Sequence, residues 1–474
     1  MTTWDELVST ALVGTERRQL PGGADGWPGP AGDPEAALLD RAAIEVARRR
    51  AGRTAGRAEP LPPARREQLP RVSRAAAQRL ARMLGGDHAT LLPEWLDAVA
   101  ARGLRAPEHL LPDLLERGRS ERSARPTIAA VAGARGAWLA RLNADWAYLL
   151  AEAGDQPLDR EVWELGGSAE RRGWLASLRA RDPDAARQAL AATWLSEALP
   201  DRLAFLWSLQ EGLSAADEPF LEAALDDRRR EVRLASADLL GRLPGSALSR
   251  RMAGRAIACL RRQRLPRDEL VVEPPTECDR EMERDGVQRR PPGGTGERAW
   301  WLIQLVARAP LDTWIGWLGE TPAEVVGLAC HDWGPVVQEG WVRAAIAQRD
   351  PRWAAALAER GASVGLLAVL PPAERARLAT PRIRAVPRLE PQVAELLHGL
   401  PGPWTGELAE AVLDKIATAK PDNPFLESLC HNAAERLAPA LYPRIPALRP
   451  EPHRAVVRLG ATLRFRHDML KELQ

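Results

Sequence analysis

The sequence predicts an all-α fold built from stacked helix pairs, and three observations carry that expectation. Ala, Leu, Arg and Glu dominate, and a helix accommodates all four well. Strand-forming aromatics are scarce, with only 2 Tyr and 4 Phe. Apolar residues recur at helical spacing in one stretch after another, separated by Pro and Gly. Gly-Trp and Asp-Pro pairs recur at similar spacing, Gly173-Trp174 with Asp182-Pro183 and Gly340-Trp341 with Asp350-Pro351.

The 474 residues suffice for two or three globular domains or one extended repeat array, and 45% hydrophobic with 27% charged residues is an ordinary globular balance. Trp is abundant, at 17 copies. On amphipathic helices Trp fills gaps between packed partners while its N–H finds an acceptor.

Charge excludes a strong field for phosphates. The 66 cations nearly balance 64 carboxylates, for a formal net charge of +2. Lys occurs only at Lys415, Lys420 and Lys471. Such an Arg-rich, Lys-poor chain, with much Ala, Gly and Pro, is what a GC-rich genome encodes. Arg abundance is therefore weak evidence for nucleic-acid binding. The four Cys lack the close spacing of a disulfide framework. Met1 to Val13 lacks a basic and apolar leader, and no run approaches 18 apolar residues. A cytoplasmic protein is the expectation.

The first helix places Trp4, Leu7, Val8, Ala11 and Leu12 at helical spacing, with Thr2 or Thr3 as cap and Gly14 as stop. After a Pro/Gly stretch, Asp33-Pro34 opens a helix to about Arg50, followed by a Pro/Arg connector over 52–70. Residues 71–264 read as a repeat region. Leu91-Leu92, Trp95-Leu96 and Val99 form one apolar stripe, and Leu110, Leu111, Leu114 and Leu115 another. Helices are predicted from Gly173 to Asp182, Ala185 to Leu199 (ended by Pro200) and Arg202 to Leu213.

A further pair joins Phe220, Leu221, Ala224 and Leu225 to Val232, Leu239 and Leu240 through a turn at Asp226-Asp227. This pair resembles a HEAT repeat, in which a turn Asp precedes a Val-Arg pair by five and six residues. Asp227, Val232 and Arg233 have that spacing. The resemblance implies a HEAT-like helical-repeat solenoid. It also implies that Asp227 caps the second helix and that Arg233 reaches the Asp of a neighbouring repeat. An ordinary helical hairpin would satisfy the same pattern.

Residues 265–298 read as a long polar loop, far beyond the usual connection length. Helices resume over 299–474. Within the loop, Glu273, Glu277, Asp279, Arg280 and Arg284 are candidate contacts for a protein partner, and Arg17 and Arg18 are further candidates. A repeat stack does not require such a loop for its core, so replacing 273–292 by a Gly-Ser linker is expected to leave stability nearly unchanged.

Catalytic motifs are weak. Pro292-Gly293-Gly294-Thr295-Gly296 is followed by Glu297-Arg298, not by the Lys and Ser/Thr of a phosphate loop. Cys330-His331 and Cys430-His431 lack the close pairing of zinc ligands, and a buried Cys beside a capping His is the simpler expectation. The alternating charges from Glu277 to Asp285 suit a solvated turn better than paired acid–base groups. No catalytic residue, metal or cofactor is expected.

Several motifs carry a broader resemblance. They are Trp4-Asp5-Glu6-Leu7-Val8 through Gly14-Thr15-Glu16-Arg17-Arg18, Gly136-Ala137-Trp138-Leu139 with Asp145-Trp146, and Glu218-Pro219-Phe220-Leu221-Glu222 to Arg233. Val272-Glu273-Pro274-Pro275 with Glu277-Cys278-Asp279, and Gly296-Glu297-Arg298-Ala299-Trp300-Trp301, complete the set. Together they resemble an uncharacterised, mostly actinobacterial family of helical proteins. The resemblance implies genes beside MoxR-type AAA+ ATPases, von Willebrand A domain proteins and SWIM zinc-finger proteins, and it transfers no residue role. The expected function is a non-enzymatic scaffold or adaptor, with a MoxR-type AAA+ ATPase or von Willebrand A protein as partner and no membrane. The alternatives are a hydrolase or metal-dependent enzyme using the 265–298 loop and the Cys-His positions, and a nucleic-acid-binding helical repeat protein.

Overall fold

The computed structural model describes residues 4–20, 33–51, 61, 63–152, 160–265, 267–361, 363–448 and 453–474. The expected cap at Thr2 or Thr3 and most of the two Pro-rich connectors lie outside these residues. The chain is 70% helical with almost no strand, an all-α fold. It forms two compact units, 1–64 and 65–474.

In the first unit, helix Trp4–Val13 ends at Gly14, whose φ of 94° suits a residue without a side chain. Helix Pro34–Ala51 starts where Asp33 Oδ1 accepts the N–H groups of Glu35 and Ala36 at 3.0 and 3.1 Å. The Arg49 guanidinium lies 5.0 Å from the Trp4 ring centre.

The second unit confirms both apolar stripes. Leu91, Leu92, Trp95, Leu96 and Val99 are buried, as are Leu110, Leu111, Leu114 and Leu115. Asp182 and Asp350 each cap the helix that follows, Pro183–Thr193 and Pro351–Arg360, with Pro in the first turn. Pro200 departs from expectation for the same reason. It begins helix Leu199–Ser208 instead of ending the previous one, because a first-turn residue has no intrahelical N–H to lose. Gly340 sits inside helix Gly334–Gln348, where a Cβ would come within 2.7 Å of Val306. Its bareness lets that helix close on Glu297–Arg308.

Helices Glu218–Ala224 and Arg230–Leu240 pack together as expected, with Val232 and Leu239 fully buried. The polar contacts differ from the HEAT expectation. Asp227 Oδ1 accepts the Arg229 N–H at 2.8 Å, just before the helix, and Oδ2 takes Arg202 at 2.6 Å. Arg233 turns back to the carbonyls of Asp227 and Arg228 in its own turn, at 2.9 and 3.3 Å. A guanidinium six residues on is close enough to satisfy its own turn, so it need not cross to a neighbour.

The 265–298 segment is not a polar loop. Leu260–Gln263 and Glu269–Val272 pair antiparallel, and Leu270 N–H reaches Ala329 O at 2.8 Å. Asp279 caps a short helix, Arg280–Arg284, through the Met282 N–H at 2.7 Å. Cys278, Met282 and Val287 enter the core, and buried Asp285 is held by Arg251 (2.7 and 2.9 Å) and Arg255 (2.6 Å). The polar composition hid this packing because the matching arginines lie some thirty residues earlier, on helix Ala247–Cys259.

Arginine closes many helix ends from inside. The last carbonyls of a helix lack intrahelical partners, and a guanidinium offers five N–H donors to a site that favours positive charge. Fully buried Arg179 donates to the carbonyls of Pro183, Leu209, Glu211 and Gly212 and pairs with buried Asp217 at 2.7 and 2.9 Å. Arg375 reaches the carbonyls of Leu367, Leu370, Pro401 and Gly402, and Arg436 those of Leu397, His398 and Leu400. Burial pushes Asp217 up, but Arg179, the Ser214 N–H and Arg187 outweigh it and hold the carboxyl below its ordinary value.

The indole N–H expectation holds only in part. Trp301 donates to Arg289 O and Trp317 to Leu260 O. The indole nitrogens of Trp95, Trp314, Trp341 and Trp353 are buried without an acceptor. The last three form one ring cluster, 5.8 to 6.2 Å between centres, where aromatic packing takes precedence over the polar atom.

Helix Arg454–Glu472 packs on the first helices of its unit, Arg74–Leu84 and Leu92–Ala101. Phe465, Met469 and Leu473 share a core with Leu80, Trp95 and Leu96. Two ion pairs bridge the same contact, Arg79 to Glu472 and Arg466 to Glu94. These contacts join residues nearly 400 positions apart, beyond the nearest-neighbour contacts of a simple helical stack.

Candidate functional site

A groove follows from that closure. It has a volume of about 840 Å³ and lies between helix Arg74–Leu84, the turn at His88, residues 442–446 and helix Arg454–Glu472. That size is within the range of small-molecule and peptide pockets. Its apolar wall includes Pro443, Ile445, Val456, Val457 and Phe465.

Phe465 is the hub of the polar side. The Arg79 and Arg82 guanidiniums lie 4.5 and 4.9 Å from its ring centre, and the His88 ring lies 4.4 Å away. His88 holds a φ of 55°, a left-handed conformation rare for a residue with a side chain and a form of strain that clusters at binding sites. Burial chiefly lowers its imidazole affinity for protons. Asp87 opposes the effect, while Arg82 and Arg79 add to it. His88 is therefore neutral near pH 7. His453 accepts the Ala455 N–H through Nδ1 at 3.2 Å, which leaves Nε2 as its donor. Arg79 and Arg82 are already matched by Glu472 and Asp87, at 2.5 and 2.6 Å. The groove thus sets an apolar wall against a polar side that also carries Arg464 and Asp468, suited to apolar side chains bearing hydrogen-bonding groups.

The residues singled out from the sequence do not converge on it. Arg18 donates to Ser9 Oγ at 2.7 Å and Arg17 is exposed, both in the first unit. Asp279 is a helix cap, and Arg284 pairs with Asp226 at 2.7 and 2.9 Å. Glu273, Glu277 and Arg280 are exposed. Cys330 is half-buried, and burial is the main cause that pushes its thiol up. His331 instead faces Glu269 at 3.5 Å in solvent. Cys430 is buried, whereas His431 is exposed, 3.7 Å from Glu435. Neither His caps a helix through those contacts. Among the described residues no group of three or more His, Cys, Asp or Glu is placed to hold a metal, and no helix is long and apolar enough to cross a membrane.

The sequence reading missed the groove residues. Phe465 and Arg79 are separated by 386 positions, and nothing local marks them as neighbours. A weak signal existed in Gly85-Gly86-Asp87-His88, a turn sequence that carries an imidazole.

A family model described as a family of unknown function (DUF5691) matches residues 6–473. The chain belongs to this family. No curated protein and no solved structure matches this DUF5691 chain.

Proposed function

We propose that this protein is a non-enzymatic adaptor that holds a segment of a protein partner. The observation that carries this reading is the groove around Phe465, because its apolar wall and polar side suit side-chain docking. The family resemblance adds a partner class, a MoxR-type AAA+ ATPase or a von Willebrand A domain protein.

Val457 lines the groove and is 57% exposed, so Val457→Glu introduces a charge without opening the core. The wild type is expected to co-purify with one of those two partners, and the variant to lose that complex at unchanged thermal stability. Equal retention by both proteins would refute the groove as the contact. Retention of neither candidate by the wild type would refute the partner class.

A further inference from the structure

A second, smaller groove is lined by Arg230, Arg233, Glu283, Gly286, Val287, Gln288, Arg289 and Arg290, with a volume of about 310 Å³. Its charge is one-sided. Arg228 and Arg229 precede Arg230 in the chain, and all three are exposed, as are Arg289 and Arg290. Asp226 and Asp227, next to them in the chain, are matched by Arg284 and Arg202, which leaves six arginines here against two glutamates, Glu231 and Glu283, in a protein whose cations and carboxylates otherwise nearly cancel. Arg289 reaches Glu283 at 3.3 Å, and Arg230 donates to the neutral side chain of Gln288 at 3.0 Å. Arg233 is spent on backbone carbonyls. The Arg229 backbone N–H meets the Asp227 carboxylate, but the guanidiniums of Arg228, Arg229 and Arg290 form no ion pair among the described residues.

The groove is held from below. Buried Gln304 accepts the Gln288 N–H at 2.8 Å and donates to the Gln288 carbonyl at 3.1 Å, while Trp301 donates to the Arg289 carbonyl at 2.9 Å. Gly286, at φ 80°, lies so close to helix Arg230–Leu240 that a Cβ would meet the Ala237 Cβ at 2.4 Å. These contacts fix the backbone that carries Arg289 and Arg290 beside the start of the helix that carries Arg230. The sequence places exposed guanidiniums on a backbone ordered by buried groups, which lowers the entropy cost of binding. The start of that helix adds its positive dipole end.

We infer that this groove binds an acidic protein segment, a short run of Asp or Glu, and that this names a second contact of the adaptor. Planar guanidiniums match carboxylates two bonds at a time. With a formal net charge of only +2 the whole chain lacks the excess positive charge that draws a nucleic-acid backbone, so the local patch fits a short acidic segment. The inference rests on the adaptor reading and can fail separately from it.

The test measures fluorescence anisotropy of a labelled glutamate decapeptide and of a labelled single-stranded DNA oligonucleotide, each over a salt titration. The wild type is expected to bind the peptide, with affinity falling as salt rises. Arg230→Glu combined with Arg290→Glu is expected to weaken binding by about ten-fold or more. Both residues are exposed, and a thermal melt confirms that the variant folds. Arg388→Glu, an exposed reversal outside the groove, is the control and is expected to change nothing. No peptide binding, or equal loss in the control, overturns the inference. Tighter binding of DNA that the same pair abolishes also overturns it, in favour of a nucleic-acid site. Val457→Glu is run in parallel. If the double reversal spares the partner complex and Val457→Glu destroys it, the acidic-segment inference fails while the adaptor reading stands.

Discussion

Arg466 donates to both carboxylate oxygens of Glu94, at 2.7 and 2.8 Å, across 372 residues of chain. The same guanidinium reaches the carbonyls of Ala434 and Leu437 at 2.7 and 3.0 Å, at the end of helix Leu426–Arg436. One side chain thus ties three helices together.

Arg466→Ala is therefore expected to cost about 3 kcal/mol, because buried carbonyls lose charged donors and Glu94 loses its partner. Arg466→Lys should recover only a minority of that, since an ammonium cannot span the carboxylate and both carbonyls. Chemical denaturation of the three proteins measures the difference. A lysine variant as stable as wild type would show that the forked geometry contributes nothing.

Residues 273–292 are expected to be required for stability. Met282→Ala should cost about 3 kcal/mol through the cavity it leaves. Replacing the whole segment by a Gly-Ser linker should lower the melting temperature sharply, because Arg251 and Arg255 then lose Asp285. An unchanged melting temperature for the linker variant would return the segment to the status of a surface loop.

Acid should weaken the protein through Glu108. The residue's own backbone N–H, then Arg105 at 2.7 Å and Arg71 at 3.3 Å, hold its carboxyl down at about 2, against an ordinary 4.5. A carboxyl with a lowered folded pKa binds protons more readily when unfolded. Its contribution is complete above about pH 4.5 and is lost as pH falls towards 2. Glu108→Gln should flatten that part of the stability profile and leave the neutral region parallel to wild type. Parallel profiles throughout would contradict the assignment.

Two thiols should be inert. Burial pushes Cys259 and Cys278 up to about 11, so little thiolate exists near neutral pH. Iodoacetamide at pH 8 is expected to leave both unmodified in the folded protein and to label them once denaturant is added. Mass spectrometry decides the matter, and rapid labelling of either in the native state would mean that it is reachable.

Local patterns were legible and distant pairings were not. The stripe from Leu91 to Val99 and the buried pair Val232 and Leu239 follow from helical spacing, which a few neighbouring residues determine. Asp182 and Asp350 were legible as helix stops through the Pro that follows each, whereas their capping of the next helix was not. The turn at Asp227 was visible, but its partner Arg202 was not, because an ion pair between helices depends on how they stack. The same limit hid the core side of 265–298, where charges that look solvated are matched by Arg251 and Arg255. The groove around Phe465 was the least legible, since its walls come from opposite ends of the unit.

The docking of helix Arg454–Glu472 onto Arg74–Leu84 also sets a schedule for synthesis. The earlier helix leaves the ribosome nearly 400 residues before the later one. At typical elongation rates that interval is roughly 20 to 75 s. Throughout it, the side of Leu80, Trp95 and Leu96 that later meets Phe465 and Met469 has no cover from its own chain. The nascent protein must therefore shield that surface by transient contacts or with a chaperone, and this core closes only after helix Arg454–Glu472 has emerged.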